Sequence, residues 1–298
     1  RLSSARARSA RPPPAIRARQ IAAAHLAIAD IESGEFHHAE RLRRTGGGLA
    51  GWSTDDLHVW LDDWEMRRDD TGRTTIAARD GETGLGLELG LEPVKPIVRQ
   101  GDAGYSQKGP RPGNASAYLS WTRLSAAGRI EIGDTTVEVD GAAWFDHEWG
   151  SSQLGDGVVG WDWFSLRLED DRDLMVYQLR RDDGSADAFS SGTVVAADGS
   201  TTRLGREDFT IEPTRWWTSP QTGGRYPVRW RVKVPDHGLD LEVVGGLVVH
   251  QHVALVVGSG GELDLAGLRL HEGHGDGLPG TDDRPELPAG TQLGSSLL

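Results

Sequence analysis

Turn signals recur so often through the middle of this chain that no amphipathic helix of ordinary length fits between them. Gly133-Asp134, Asp183-Gly184 and Asp198-Gly199 each separate short runs of apolar and β-branched residues, as tight hairpins do. The runs are Leu57–Trp64, Thr74–Ala78, Leu85–Leu91, Ala117–Leu124, Arg129–Ile132, Thr135–Val139, Trp161–Leu168, Leu174–Leu179, Gly192–Ala196, Arg229–Val234 and Leu239–Val244. Many short strands at this spacing predict an all-β sandwich or barrel. The Ala-rich stretch Gln20–Ile31 stays open. Alanine favours a helix, but the alternation through Ile21, Ala23 and His25 also suits a strand.

Length and charge narrow the function. At roughly 150 residues per domain, a chain of 298 residues predicts two domains. The absence of cysteine excludes disulfides, thiolate metal sites and cysteine nucleophiles. A net charge of −13 argues against general nucleic-acid binding. No apolar run is long enough to span a membrane as a helix. Residues 1–19 form a basic arm (Arg1, Arg6, Arg8, Arg11, Arg17 and Arg19) interrupted by Pro12–Pro14. It is expected to be flexible, with contact to an anionic membrane surface as the alternative reading. Residues 273–298, rich in Gly, Pro and Asp, are expected to form a disordered tail.

The chemistry concentrates in Trp144-Phe145-Asp146-His147-Glu148-Trp149-Gly150 and Gly160-Trp161-Asp162-Trp163-Phe164. Alternate residues of a strand share a face. Trp144, Asp146 and Glu148 therefore point one way, and Phe145, His147 and Trp149 the other. Trp161 and Trp163 likewise lie opposite Asp162. A carboxyl group set among indole rings has a raised pKa and can act as a general acid near neutral pH. Aromatic faces stabilise a cation. An acid beside an aromatic box is what protonation of an alkene requires. The competing reading is a buried structural network, in which Asp146 or Glu148 pairs with Arg123 or Arg180.

Other chemistries fare worse. His147-Glu148 lacks the second histidine of a zincin helix, and no nucleophile elbow, P-loop or dinucleotide fingerprint occurs. His250, His252, His271 and His274 are too few in any one segment to define a zinc site. No metal and no cofactor is expected. The Gly-rich segment Gly101–Gly113, with Tyr105, Ser106 and Lys108, reads as a loop that could shape a ligand entrance.

Several stretches carry a resemblance in order: Arg19-Gln20-Ile21 with His25, FHHAER (36–41), Gly48–Gly51, WLDDW (60–64), GDAGYSQKG (101–109), NASAYLSWTR (114–123), WFDHEWGS (144–151), GWDWFSL (160–166), LMVYQLR (174–180) and YPVRW (226–230). Over about residues 15–250 the chain resembles the carotenoid 1,2-hydratase-like, AttH-type family of double-lipocalin proteins, also called the hydroxyneurosporene synthase family. The resemblance implies two lipocalin-like β-barrel domains packed together, 20–152 and 153–272, with the second expected to be incomplete. It implies a hydrophobic pocket near their junction, a small isoprenoid-like ligand, and an extracytoplasmic or membrane-associated setting. His147 and Trp149 match a His-x-Trp pair implicated in catalysis. The strand that would place an acid close behind a tyrosine is Leu174–Arg180, which has Tyr177 and no carboxylate.

The resulting expectation is a cofactor-free hydratase or lyase that adds water to an isoprenoid-like double bond. Its candidate catalytic residues are Asp146, His147, Glu148 and Asp162. Its candidate substrate-binding residues are Trp149, Trp161, Trp163, Tyr177, Tyr105, Tyr118, Arg123 and Arg180. A non-catalytic carrier of a hydrophobic ligand and a polyene cyclase (pericyclase) are the alternatives.

Overall fold

The computed structural model describes residues 21–244 apart from 31, 32, 46, 151–153 and 221, together with short strands at 256–257 and 296–297. The strands are β1 (Ile21–Ala29), β2 (Phe36–Arg44), β3 (Ala50–Trp52), β4 (His58–Leu61), β5 (Trp64–Arg68), β6 (Thr74–Asp80), β7 (Leu85–Pro93), β8 (Val98–Arg99), β9 (Tyr105–Gln107), β10 (Ala115–Ile132) and β11 (Thr135–Trp149). They continue as β12 (Val158–Arg167), β13 (Asp173–Arg181), β14 (Ser191–Val195), β15 (Thr201–Leu204), β16 (Thr210–Thr218), β17 (Arg225–Val234), β18 (Leu239–Val244), β19 (Val256–Val257) and β20 (Ser296–Leu297). The helices among the described residues are single 3-10 turns at Arg206–Asp208 and Pro235–His237. The molecule is all-β, consistent with lipocalin-like β domains.

The first half is a ten-stranded sheet in the order β20-β11-β10-β7-β6-β5-β4-β3, with β8 and β9 also pairing to β10. The β1–β2 hairpin packs against it. Ala22, Ala24 and Leu26 from β1 meet Ala50, Leu61, Trp64 and Leu85 in one apolar cluster. The open choice over Gln20–Ile31 is thereby settled as a strand: alternating burial along β1 matches a pleated surface with one face inward.

The second half consists of two antiparallel sheets, β12-β13-β14-β15 and β16-β17-β18. Their inner faces share a core of Leu166, Leu174, Val176, Val194, Leu204, Phe209, Ile211, Val232, Val234, Leu239 and Val243.

Three runs depart from the sequence reading. Leu57–Trp64 is not one strand, because Asp62, with φ 55, turns the chain between β4 and β5. An aspartate tolerates this left-handed conformation better than most residues. Conversely, Ala117–Leu124 and Arg129–Ile132 belong to one long strand, β10, which bends at a bulge between Trp121 and Leu124. The bulge has a purpose in the packing. It lets the consecutive residues Thr122 and Arg123 both reach Asp173 on β13, at 2.9 and 2.8 Å, where an unbroken strand would point them to opposite faces.

Asp173 is fully buried and also accepts from Lys95 Nζ at 2.8 Å. This charge-assisted knot ties the long β10–β11 sheet to β13. A buried carboxylate is tolerable only when its oxygens are satisfied in this way. The same junction carries the candidate site.

Candidate functional site

The face of β10 that turns toward β12 and β13 presents Ser116, Tyr118, Ser120 and Thr122, all buried. Across the β10–β11 ladder, Ser120 stands opposite Asp146 and Tyr118 opposite Glu148. Strand alternation places Trp144, Asp146 and Glu148 on this same face, as the sequence predicts. From the facing sheet come Met175, Tyr177 and Leu179, which cluster with Tyr118 and Trp144 and have Trp163 and Phe189 packed around them. The seam between the two halves is therefore an aromatic box with two carboxyl groups in its wall.

The two carboxyl groups are held differently. Glu148 forms an ion pair with Lys108, and its Oε1 also accepts the Ser116 hydroxyl at 2.5 Å. The Lys108 ammonium donates to Ser116 at 2.9 Å and lies 5.3 Å from the centre of the Tyr118 ring and 5.0 Å from that of Tyr177. Its charge is thus matched by one carboxylate and two ring faces.

Asp146 pairs with no cation among the described residues. One oxygen accepts the Ser120 hydroxyl at 2.5 Å and the Trp144 indole N–H at 3.0 Å. The other, Oδ2, is buried with no hydrogen-bond partner among the described residues. Burial is the main cause that pushes its pKa up to about 7, with the negative charge of Glu148 adding to it and the hydrogen bonds from Ser120 and Trp144, together with the nearby Tyr118 hydroxyl, opposing it. Near neutral pH the group is therefore part acid and part carboxylate, the state in which a general acid transfers a proton and recovers it.

A polar chain supports this aspartate. Thr193 donates to the Gln100 carbonyl at 2.6 Å, Gln100 Nε2 donates to Ser120 at 3.0 Å, and Ser120 donates to Asp146. All of these side chains are buried. Tyr118, whose hydroxyl accepts the Trp163 indole N–H at 3.2 Å, has its pKa driven well above the ordinary phenol value by burial and by the nearby charges of Asp146 and Glu148. Tyr177, raised chiefly by burial, shares a hydrogen bond with Ser106 at 3.2 Å. Both phenols stay protonated.

The structure separates the remaining candidates. His147 and Trp149 project from the opposite face of β11, in a row of rings Trp121–Phe145–His147–Trp149 with centroid spacings of 5.4, 6.3 and 4.7 Å. His147 is solvent-accessible on that face, and its partial desolvation beside the rings lowers its pKa. It cannot meet a water beside Asp146, because the strand itself lies between them. Asp162 also points away from the seam, 3.5 Å from Arg180. Its pKa is raised by burial, against the attraction of that arginine. Trp161 sits at the rim, 47% exposed, and Tyr105 is half-exposed on β9. Arg123 is occupied by Asp171 and Asp173. The expected pairing of Asp146 or Glu148 with Arg123 or Arg180 is not found; a lysine and hydroxyl groups take those places.

Sequence reasoning singled out Ser106 and Lys108 only as loop residues and passed over Gln100, Ser116 and Ser120. A signal for the serines existed. Ser116, Tyr118, Ser120 and Thr122 repeat with the strand period directly opposite Asp146 and Glu148. The strand that lacks a carboxylate after Tyr177 contributes the buried Leu179, and the seam's acid comes from the facing sheet as Asp146.

Beside the box opens a cleft of about 510 Å³ lined by Gly109, Pro110, Arg111, Gly155, Asp156, Arg181, Asp187, Ala188 and Phe189. Phe189 also packs against the box, so it forms a common wall. The loop read as a ligand entrance does line this opening through Gly109–Arg111. No group of side chains among the described residues could hold a metal ion. His250, His252, His271 and His274 lie outside the described residues, as do the basic arm and, apart from Ser296–Leu297, which pairs in parallel with β11 as a strand rather than being disordered, the tail.

Comparison with known proteins follows the same lines. The AttH-like family profile matches residues 1–255. An AttH protein from Nitrosomonas europaea has a similar structure, with 33% identity and a TM-score of 0.68 over 74% of this chain and 68% of that one. Kievitone hydratase from Nectria haematococca shares the fold at 14% identity, with a TM-score of 0.58 over 76% of this chain and 69% of that one. No curated protein sequence matches.

Proposed function

The chain belongs to the AttH-like family, and from that premise we propose that it is a cofactor-free hydratase of an apolar, isoprenoid-like alkene, with Asp146 as the proton donor. The observation that carries this reading is the buried Asp146 carboxyl group, with a pKa of about 7 and an unpartnered Oδ2, inside an aromatic box. Asp146 gives its proton to one alkene carbon, leaving a cation on the more substituted neighbour. The rings of Trp163, Tyr118 and Tyr177 stabilise that cation by their quadrupoles, about 0.5–2 kcal/mol each. Water adds to the cation, and the resulting oxonium returns a proton to the Asp146 carboxylate. Glu148 neutralises Lys108, so the ammonium does not repel the developing charge.

A solved relative of the same fold carries the name of a hydratase, which agrees with this chemistry. In this reading the substrate enters from the cleft that shares Phe189 as a wall with the box, and Phe189 would have to move aside to admit it. His147, Trp149 and Asp162 have no part in the proton transfer, since they face away from Asp146.

The test is incubation of the purified protein with acyclic terpenoids and carotenoids in heavy-oxygen water, followed by mass spectrometry of the organic extract. The expected product is heavier than the substrate by one labelled water, and it disappears with Asp146→Asn. Equal turnover by that variant would overturn the assignment. A second reading rests on the ring row Trp121–Phe145–His147–Trp149, which lines the other face with no acid among its rings. In it the protein carries a hydrophobic ligand unchanged, and recovery of every substrate with unaltered mass and retention time would favour it.

A further inference from the structure

The polar chain behind Asp146 has a direction, and its far end belongs to the other half of the molecule. Thr193 stands opposite Met175 across the β13–β14 ladder. Directly paired residues share a face of a sheet. Thr193 therefore lies on the side of Met175, which packs in the aromatic box, while its neighbour Val194 packs in the core of the second half. Gln100 directly follows β8. Its backbone is held at both ends: its N–H donates to the Tyr118 carbonyl at 3.0 Å, and its own carbonyl accepts from Gly104 at 3.1 Å. Its side chain is fully buried, as is that of Ser120.

An amide oxygen only accepts and an amide nitrogen only donates, whereas a hydroxyl has one proton to give. Thr193 gives its proton to Gln100 Oε1 at 2.6 Å, which turns Nε2 toward Ser120 at 3.0 Å. With that side of its oxygen taken, Ser120 gives its one proton to Asp146 Oδ1. The same oxygen accepts the Trp144 indole N–H, a group that can only donate. Two donors thus aim at Oδ1 and leave it no place for a proton of its own. The proton of the neutral acid sits on Oδ2, the oxygen with no hydrogen-bond partner among the described residues. Were the Gln100 amide reversed, its oxygen would face Ser120 and draw off the hydroxyl proton that Asp146 now receives.

We propose that Thr193 and Gln100 are positioning residues of the acid: Thr193 fixes the orientation of the Gln100 amide, and through Ser120 that orientation places the transferable proton on Asp146 Oδ2. The proposal rests on Asp146 as the proton donor. It adds that β14, across the seam, holds that donor in the state from which it can give its proton.

The test follows the Asp146 carboxyl carbon by NMR in variants of the full chain. Thr193→Val keeps the shape of the side chain and removes the hydroxyl, so the amide is free to reverse. The Asp146 transition should then move up by about one pH unit, and kcat for hydration should fall by up to about tenfold at unchanged KM. Thr193→Ser restores the donor and should return the transition to its parental position. Thr193→Val combined with Gln100→Met has no amide to reverse, so Ser120 again gives its proton to Asp146 and the transition should also be parental. Glu148, Lys108, Tyr118 and Tyr177, which face the same seam, are present in all of these proteins. In the parent, the Gln100 side-chain nitrogen should follow the Asp146 transition with the same midpoint, a readout that needs no variant to fold. A Thr193→Val transition at the parental value would overturn the proposal and leave the acid in place. So would a shift that persists with Gln100→Met, or a Gln100 nitrogen unmoved through the transition. A parental transition in the ordinary aspartate range would instead remove the donor itself, and the proposal with it.

Discussion

Replacing Asp146 with asparagine should make the protein more stable at alkaline pH, an unusual outcome for a buried polar substitution. The aspartate's pKa rises from 3.8 in the unfolded chain to about 7 in the fold. Between those values the folded state holds a proton that the unfolded state has released. Stability therefore falls as pH rises across this window, and it levels off above the folded pKa. About three pKa units at 1.36 kcal/mol each give a loss of about 4 kcal/mol between pH 4 and pH 8. Asparagine copies the shape of the neutral acid and cannot ionise. The carboxylates whose pKa values are lowered in the fold, such as Asp56 and Asp80, titrate identically in both proteins and cancel in the difference. Urea unfolding of parent and variant at half-unit pH steps measures that difference. Near pH 4 the two should be alike. By pH 8 the variant should lead by about 4 kcal/mol, with most of the change between pH 5 and pH 7. A difference independent of pH, or a parent that gains on the variant as pH rises, would refute a protonated Asp146.

Further outcomes follow from the neighbouring groups. Ser120→Ala removes a hydrogen bond that holds the Asp146 pKa down, so the aspartate should titrate at a higher pH; with Gln100 Nε2 left unpaired, unfolding should also become easier by about 1–3 kcal/mol. Asp173→Asn deprives Lys95 and Arg123 of their shared buried counter-charge, and calorimetry should show a loss of about 3–5 kcal/mol. Gly101, at φ 71, would place a Cβ 2.3 Å from the Tyr105 carbonyl oxygen; Gly101→Ala should therefore displace the turn that carries Ser106 and Lys108, lowering stability by about 1–3 kcal/mol in thermal unfolding.

The strand content and the hairpin at Gly133-Asp134 were legible because they depend on local turn chemistry and period-two alternation. The facing of Asp146 and Glu148 away from His147 and Trp149 was legible for the same reason. What could not be read was which surface each face would meet. His147 and Trp149 read as promising a residue at a time, yet their face of β11 turns from the seam. That outcome depends on how the long β10–β11 sheet packs on β12–β13, which no local pattern states. The partner of Glu148 was missed for a related reason. Lys108 precedes it by forty positions in sequence and reaches it from the loop after β9. Asp162 was legible as lying opposite Trp161 and Trp163, because a shift of one position along a strand moves a side chain to the other face; that those indoles would face the seam and Asp162 would meet Arg180 was not. The bulge between Trp121 and Leu124 likewise has no turn residue to announce it.

The most direct test of the account is the titration of Asp146 itself, by carbon NMR of protein labelled at the aspartate side-chain carboxyl carbon, with the Asp146→Asn variant identifying the resonance. Asp146 is expected to show a transition near pH 7, displaced upward in Ser120→Ala. A transition near the ordinary aspartate range, about 4, would contradict it, because the seam would then hold a permanent carboxylate and no proton to give.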